Sequence, residues 1–136
     1  MSNQIYSGTI LFEAREVDVP SGGELTDLVY RDQLGGLGAV ANIEIENTGD
    51  NALTDFRVLL QDHPGGEWYA FVGGTDFLAP FAVGVRWVSA TPPHTLPAGQ
   101  KAHLHIEGLA ANGIKLQAAS TAGTEVAARG NALVRR

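Results

Sequence analysis

The 136-residue sequence contains no cysteine and a single methionine. A disulfide framework and a thiolate metal site are therefore both excluded. Charged residues are scarce at 18%, against about 25% in a typical soluble domain. Lysine is almost missing, with only Lys101 and Lys115. Without a basic face the chain is not expected to bind nucleic acid. No long apolar run exists. The longest, around residues 78–85, is interrupted by Pro80 and Gly84 and falls far short of the roughly 20 residues of a membrane helix. No membrane partner is expected. The opening residues, from Met1 to Gly8, lack a basic stretch and an apolar stretch, so a protein made without a signal peptide is expected.

Small residues are abundant instead. There are 17 glycines, well above the usual share of about 7%. The formal charge is −6 and is unevenly spread. Residues 1–50 hold nine acids and two bases, whereas residues 101–136 hold two acids and five bases. This length suits one domain with a core of its own.

Alternation of apolar and polar residues recurs along the chain, which marks half-buried strands. Ala41, Ile43 and Ile45 alternate with Asn42, Glu44 and Glu46. Phe56, Val58 and Leu60 alternate with Asp55, Arg57 and Gln61. Ala102, Leu104 and Ile106 alternate with Lys101, His103, His105 and Glu107. Ile114, Leu116 and Ala118 alternate with Lys115 and Gln117. Further strands are predicted at 67–72, 83–89, 125–128 and 132–135, with one long or two short strands at 4–19. The best helical candidate, 123–134, is weakened by Thr124, Val126 and Gly130. Turn clusters at 21–23, 47–51, 64–66, 73–74, 92–93, 97–99 and 111–113 separate these segments. Short strands with turns at this spacing predict an all-β sandwich. Gly35-Gly36-Leu37-Gly38 precedes a strand and lacks a lysine, so it does not fit a phosphate-binding loop.

Three segments carry a resemblance. Val40-Ala41-Asn42-Ile43-Glu44-Ile45-Glu46-Asn47-Thr48-Gly49-Asp50 ends a strand in Asn-Thr-Gly. Ala52 to Leu60 follows as the next strand, and Leu96-Pro97-Ala98-Gly99-Gln100 precedes a late one. Over residues 38–108 the chain resembles the immunoglobulin-like bacterial and phage domains of the CARDB or NEW3-like kind. The resemblance implies an Ig-like β-sandwich used for assembly, adhesion or spacing, with no catalytic residues. The expected organisation is an extended N-terminal arm and Gly-rich loop over residues 1–37, and an Ig-like sandwich over 38–136. The Gly- and Ala-rich, lysine-poor, acidic composition is similar to that of virion structural proteins of tailed phages.

Candidate sites follow from residue type and spacing. His103 and His105 share one strand face about 7 Å apart, and with a carboxylate such as Glu107 they form a weak metal candidate. The alternative is a solvated polar face. Asp62-His63 lies on a turn with no Gly-x-Ser-x-Gly elbow or other nucleophile beside it. Glu44, Glu46 and Asp50 lack the spacing of a calcium loop. No enzyme and no cofactor are expected.

Aromatic residues cluster at Trp68, Tyr69, Phe71, Phe77, Phe81 and Trp87. Trp68, Tyr69 and Trp87 form a candidate platform for sugar stacking or a protein interface. Consecutive Val58-Leu59-Leu60 predicts a strand covered on both faces, hence a homo-oligomer. Phe12, Val17, Val19, Leu25, Leu28, Val29, Tyr30 and Leu59 are the expected interface residues. The function expected is capsid decoration or cement, with the major capsid protein or other virion subunits as partners and the virion as location. A carbohydrate-binding or adhesion module, and a tail or head–tail connector protein, are the alternatives.

Overall fold

A computed structural model describes residues 6–32, 39–70, 85–87, 95–109 and 112–135. Its strands are β1 (Tyr6–Val19), β2 (Thr26–Arg31), β3 (Ala39–Asn47), β4 (Thr54–Gln61), β5 (Trp68–Ala70), β6 (Val85–Trp87), β7 (Lys101–Leu109), β8 (Gly113–Ala119) and β9 (Thr124–Arg135). One sheet runs β1-β9-β3-β7-β6 and the other β2-β8-β4-β5, with antiparallel pairing throughout. The two sheets pack face to face, so the expected all-β sandwich is what the chain forms.

Each sheet contributes one apolar face to the core. Ala41, Ile43, Ile45, Leu104, Ala128 and Val126 come from the five-stranded sheet; Phe56, Val58, Ile114, Leu116 and Val29 come from the four-stranded one. Burying each of these larger aliphatic side chains contributes roughly 1.5–3 kcal/mol. The alternation read in β3, β4, β7 and β8 is the alternation between this core and the outside.

The N-terminal third corrects the expectation of an arm. β1 pairs along most of its length with β9, and β2 pairs with β8, so both are edge strands of the sandwich. Phe12, Val17, Val19, Leu28 and Val29, expected as interface residues, are buried in the chain's own core. The physical reason is a pair of register shifts. One lies between Phe12 and Arg15, and puts Phe12 and Val17 on the same side despite their odd spacing. The other lies between Asp27 and Val29, where Leu28 and Val29 are buried consecutively. A bulge breaks period-two alternation and hides a strand from a periodicity reading. β9 is likewise one continuous strand instead of two, with Gly130 at a close approach. A methyl group there would meet the Asn42 carbonyl at 2.6 Å and the Phe12 ring at 2.9 Å.

One buried side chain ties the loops at the end of the sandwich together. Asn47 Nδ2 donates to the carbonyls of Asn51 (2.7 Å) and Leu96 (2.9 Å). Its Oδ1 accepts from Thr124 Oγ1 (2.7 Å) and from the Gly49 amide (3.3 Å). Its backbone bonds Gln100 and Gly99. Two segments that carry the immunoglobulin-like resemblance, Asn47-Thr48-Gly49 and Leu96 to Gln100, are thus joined through one fully satisfied amide. Their residue types are explained by loop closure.

Candidate functional site

The two outer faces of the sandwich hold the residues singled out in the sequence. On the five-stranded sheet, register places Glu44 opposite His103 and Arg129, and Asn42 opposite His105 and Asn131. Arg129 Nε donates to Glu44 Oε1 (2.9 Å) and Nη2 lies 2.8 Å from the same oxygen. His103 Nε2 stands 3.7 Å from Glu44 Oε2, and His105 Nδ1 is 2.7 Å from Asn42 Oδ1. Each imidazole faces a different partner. Among the described residues no group of three or more His, Cys, Asp or Glu side chains is arranged to hold a metal. A shallow depression of about 410 Å³ crosses this face between Phe12, Asn42, Glu44, His103 and Arg129. Glu46 shares the outer face of β3, while Asp50 lies in the turn beyond it. Asp62 and His63 sit in an exposed turn; His63 Nδ1 is 3.3 Å from the Pro64 carbonyl. That turn is held from beneath by the buried Gln61, whose amide donates to the Gly66 carbonyl (2.8 Å) and accepts from Asn112 (2.8 Å).

The four-stranded sheet has a different outer face. β2, β8, β4 and β5 place Tyr30, Lys115 and Leu59 side by side across three strands. Lys115 Nζ lies 4.6 Å from the centre of the Trp68 ring and 5.9 Å from that of Tyr30. Cation–π attraction of this kind contributes about 0.5–1 kcal/mol at exposed sites and more when desolvated. The Lys115 side chain is only 17% exposed, and Asp27 Oδ2 sits 3.4 Å from Nζ. Gln117 Nε2 in turn donates to Asp27 Oδ1 (2.7 Å). Gly113 makes room for the indole: a methyl group there would meet Trp68 Cη2 at 2.7 Å. Tyr30 is 51% exposed, and Leu25 at the approach to β2 is 37% exposed. The result is a row of Tyr30, Lys115 and Trp68 with half-buried Leu59 beside it.

The expected aromatic platform is therefore rearranged. Trp68 is on β5, whereas Trp87 is on β6 in the other sheet. Tyr69 stands opposite the buried Leu60 in the register, one position out of phase with Trp68. Phe71, Phe77 and Phe81 lie outside the described residues. Of the expected interface residues, Tyr30 and Leu25 remain exposed, and Leu59 is half-buried between Ala70 and Lys115. Lys115, Asp27 and Gly113 were not anticipated. Their only signal in the sequence is an outward position on alternating strands, and cross-strand register is needed to bring them to Tyr30 and Trp68.

The class these observations define is a two-sheet antiparallel β-sandwich with one charged and one aromatic outer face. No protein-family model matches the sequence, and a search of curated proteins finds no match. Among solved structures, the chain is similar to one titled "Crystal structure of PirA". The two share 15% identity with a TM-score of 0.50, over 87% of this chain and 90% of that one. At this identity the likeness concerns the fold alone.

Proposed function

We propose that the protein is a non-enzymatic virion structural subunit that decorates or cements an assembled shell, docking through the outer face of its four-stranded sheet. The observation that carries this reading is the Tyr30–Lys115–Trp68 row with Leu59 beside it. Tyr and Trp side chains anchored on strands lose little entropy on contact and are among the residues that dominate protein interfaces. The Gly- and Ala-rich, lysine-poor composition agrees with a virion protein. Mass spectrometry of purified particles tests the reading. The protein is expected at a fixed stoichiometry to the shell subunit, and its absence from particles overturns the proposal.

A second reading is favoured by the same row. A half-buried indole and an exposed phenol, flanked by Lys115, Asp27 and Gln117, offer both a stacking surface and hydrogen-bonding groups for a sugar ring. A glycan array separates the two. Saturable binding that Trp68→Ala abolishes supports carbohydrate recognition, and a blank array rejects it.

A further inference from the structure

The seam where the two sheets meet holds a feature the outer faces do not explain. β1 and β2 are edge strands, one in each sheet, and they lie against each other on the same side of the sandwich. Arg15 pairs with Ala128, and Arg31 pairs with Ile114. Directly paired residues project to the same side of a sheet, and both Ala128 and Ile114 are buried. The two arginines thus occupy core-side register positions on facing edge strands. Both line one pocket of about 330 Å³, which Tyr30 and Asp32 complete.

Among the described residues this arrangement is electrostatically incomplete. A guanidinium keeps its charge at any ordinary pH, so two cations converge on one pocket. Asp32 lies exposed at its margin, and among the described residues no ion pair joins either guanidinium to an acid. Arg31 Nε is shielded from solvent and has no hydrogen-bond acceptor among the described residues. A buried donor left unpaired costs about 1–3 kcal/mol, more when charged. Inward charges on edge strands discourage edge-to-edge pairing. That accounts for one arginine on each strand. It does not account for both sharing a pocket with an unpaired buried N–H.

We propose that this seam is an oxyanion-binding site, in which Arg15 and Arg31 hold a phosphate- or carboxylate-type group between the two sheets. Planar guanidinium forks match oxygens of such groups, and charge-assisted bonds of this kind are stronger than neutral ones. The anion neutralises the like charges and supplies the acceptor that Arg31 Nε lacks among the described residues. The site adjoins the Trp68 row at Tyr30, but its arginines take no part in that row, and the proposal does not depend on the virion reading.

The test is calorimetric titration of the full chain with inorganic phosphate and, in a second arm, with acetate, each against chloride at matched ionic strength. Saturable binding in the phosphate arm alone assigns a phosphate-type ligand; binding in the acetate arm assigns a carboxylate. Arg31→Gln and Arg15→Gln are each expected to weaken binding about tenfold or more, while Arg129→Gln on the five-stranded outer face leaves it unchanged. Phenylglyoxal modification of the unaltered protein, read by peptide mass, gives a measurement independent of variant folding. The bound anion is expected to slow modification of Arg15 and Arg31 but not of Arg129. Heat absent in both arms, or binding that persists in the Arg15→Gln, Arg31→Gln double variant, overturns the proposal. So does equal modification of all three arginines with and without anion.

Discussion

The two outer faces of the sandwich are built on the same alternation and differ in what their polar groups do. On the five-stranded sheet, Arg129 and His103 converge on Glu44, and His105 meets Asn42. On the four-stranded sheet, a single lysine lies between two aromatic rings and one carboxylate, with Tyr30 half in solvent. The first face is charge facing water: its ion pairs are exposed, Arg129 at 68%, and contribute little to stability. The second places apolar surface where a partner can cover it. A strand's outward positions are thus free to serve two purposes, and the choice of residue decides which.

Substitutions can break or sharpen that contrast. The largest effect lies beneath both faces. Asn47→Leu removes an amide that serves four hydrogen bonds to the loops. Stranding those buried partners is expected to cost about 3 kcal/mol or more, read as a lower midpoint in urea unfolding with either face otherwise intact. Gly113→Val comes next. The added side chain strikes the indole and displaces Trp68, so a loss of about 1–3 kcal/mol is expected. Tryptophan fluorescence should shift to the red as the ring enters water. An unchanged spectrum would mean that Trp68 does not rest on Gly113.

Smaller effects follow. Lys115→Met keeps the aliphatic stem and deletes the charge, and is expected to change stability by about 1 kcal/mol or less. The loss should shrink but not vanish in a Trp68→Ala background, because Asp27 and Tyr30 remain beside the ammonium, as a double-mutant cycle would show. The smallest effect belongs to the charged face. His103→Ala and His105→Ala are each expected to cost at most about 0.5 kcal/mol, and zinc added to the chelator-treated protein should produce no binding heat. Heat that disappears in the double histidine variant would assign that face a metal.

Legibility in the sequence followed the regularity of the strands. β3, β4, β7 and β8 alternate through their central residues, with their register shifts confined to the strand ends, and are readable directly. β1 and β2 each contain a register shift. Phe12 and Val17 then look out of phase, Leu28 and Val29 look like an apolar cluster, and a pair of edge strands reads as an arm. The aromatic row was only half legible. Trp68 and Tyr30 were singled out, but for different surfaces, because their meeting over Lys115 depends on a β2-β8-β4-β5 order that no local pattern encodes. Trp87 was grouped with Trp68 by nearness in sequence, which the partition into two sheets overrides.

The proposed docking of a shell subunit on the outer face of the four-stranded sheet is open to a direct experiment. Co-sedimentation of the purified chain with assembled shells tests it most directly, using Tyr30→Asp on that face and Arg129→Asp on the other. Tyr30→Asp is expected to weaken binding at least about tenfold, as for loss of an aromatic anchor, while Arg129→Asp leaves it within about twofold. Binding lost with Arg129→Asp and kept with Tyr30→Asp would contradict the account.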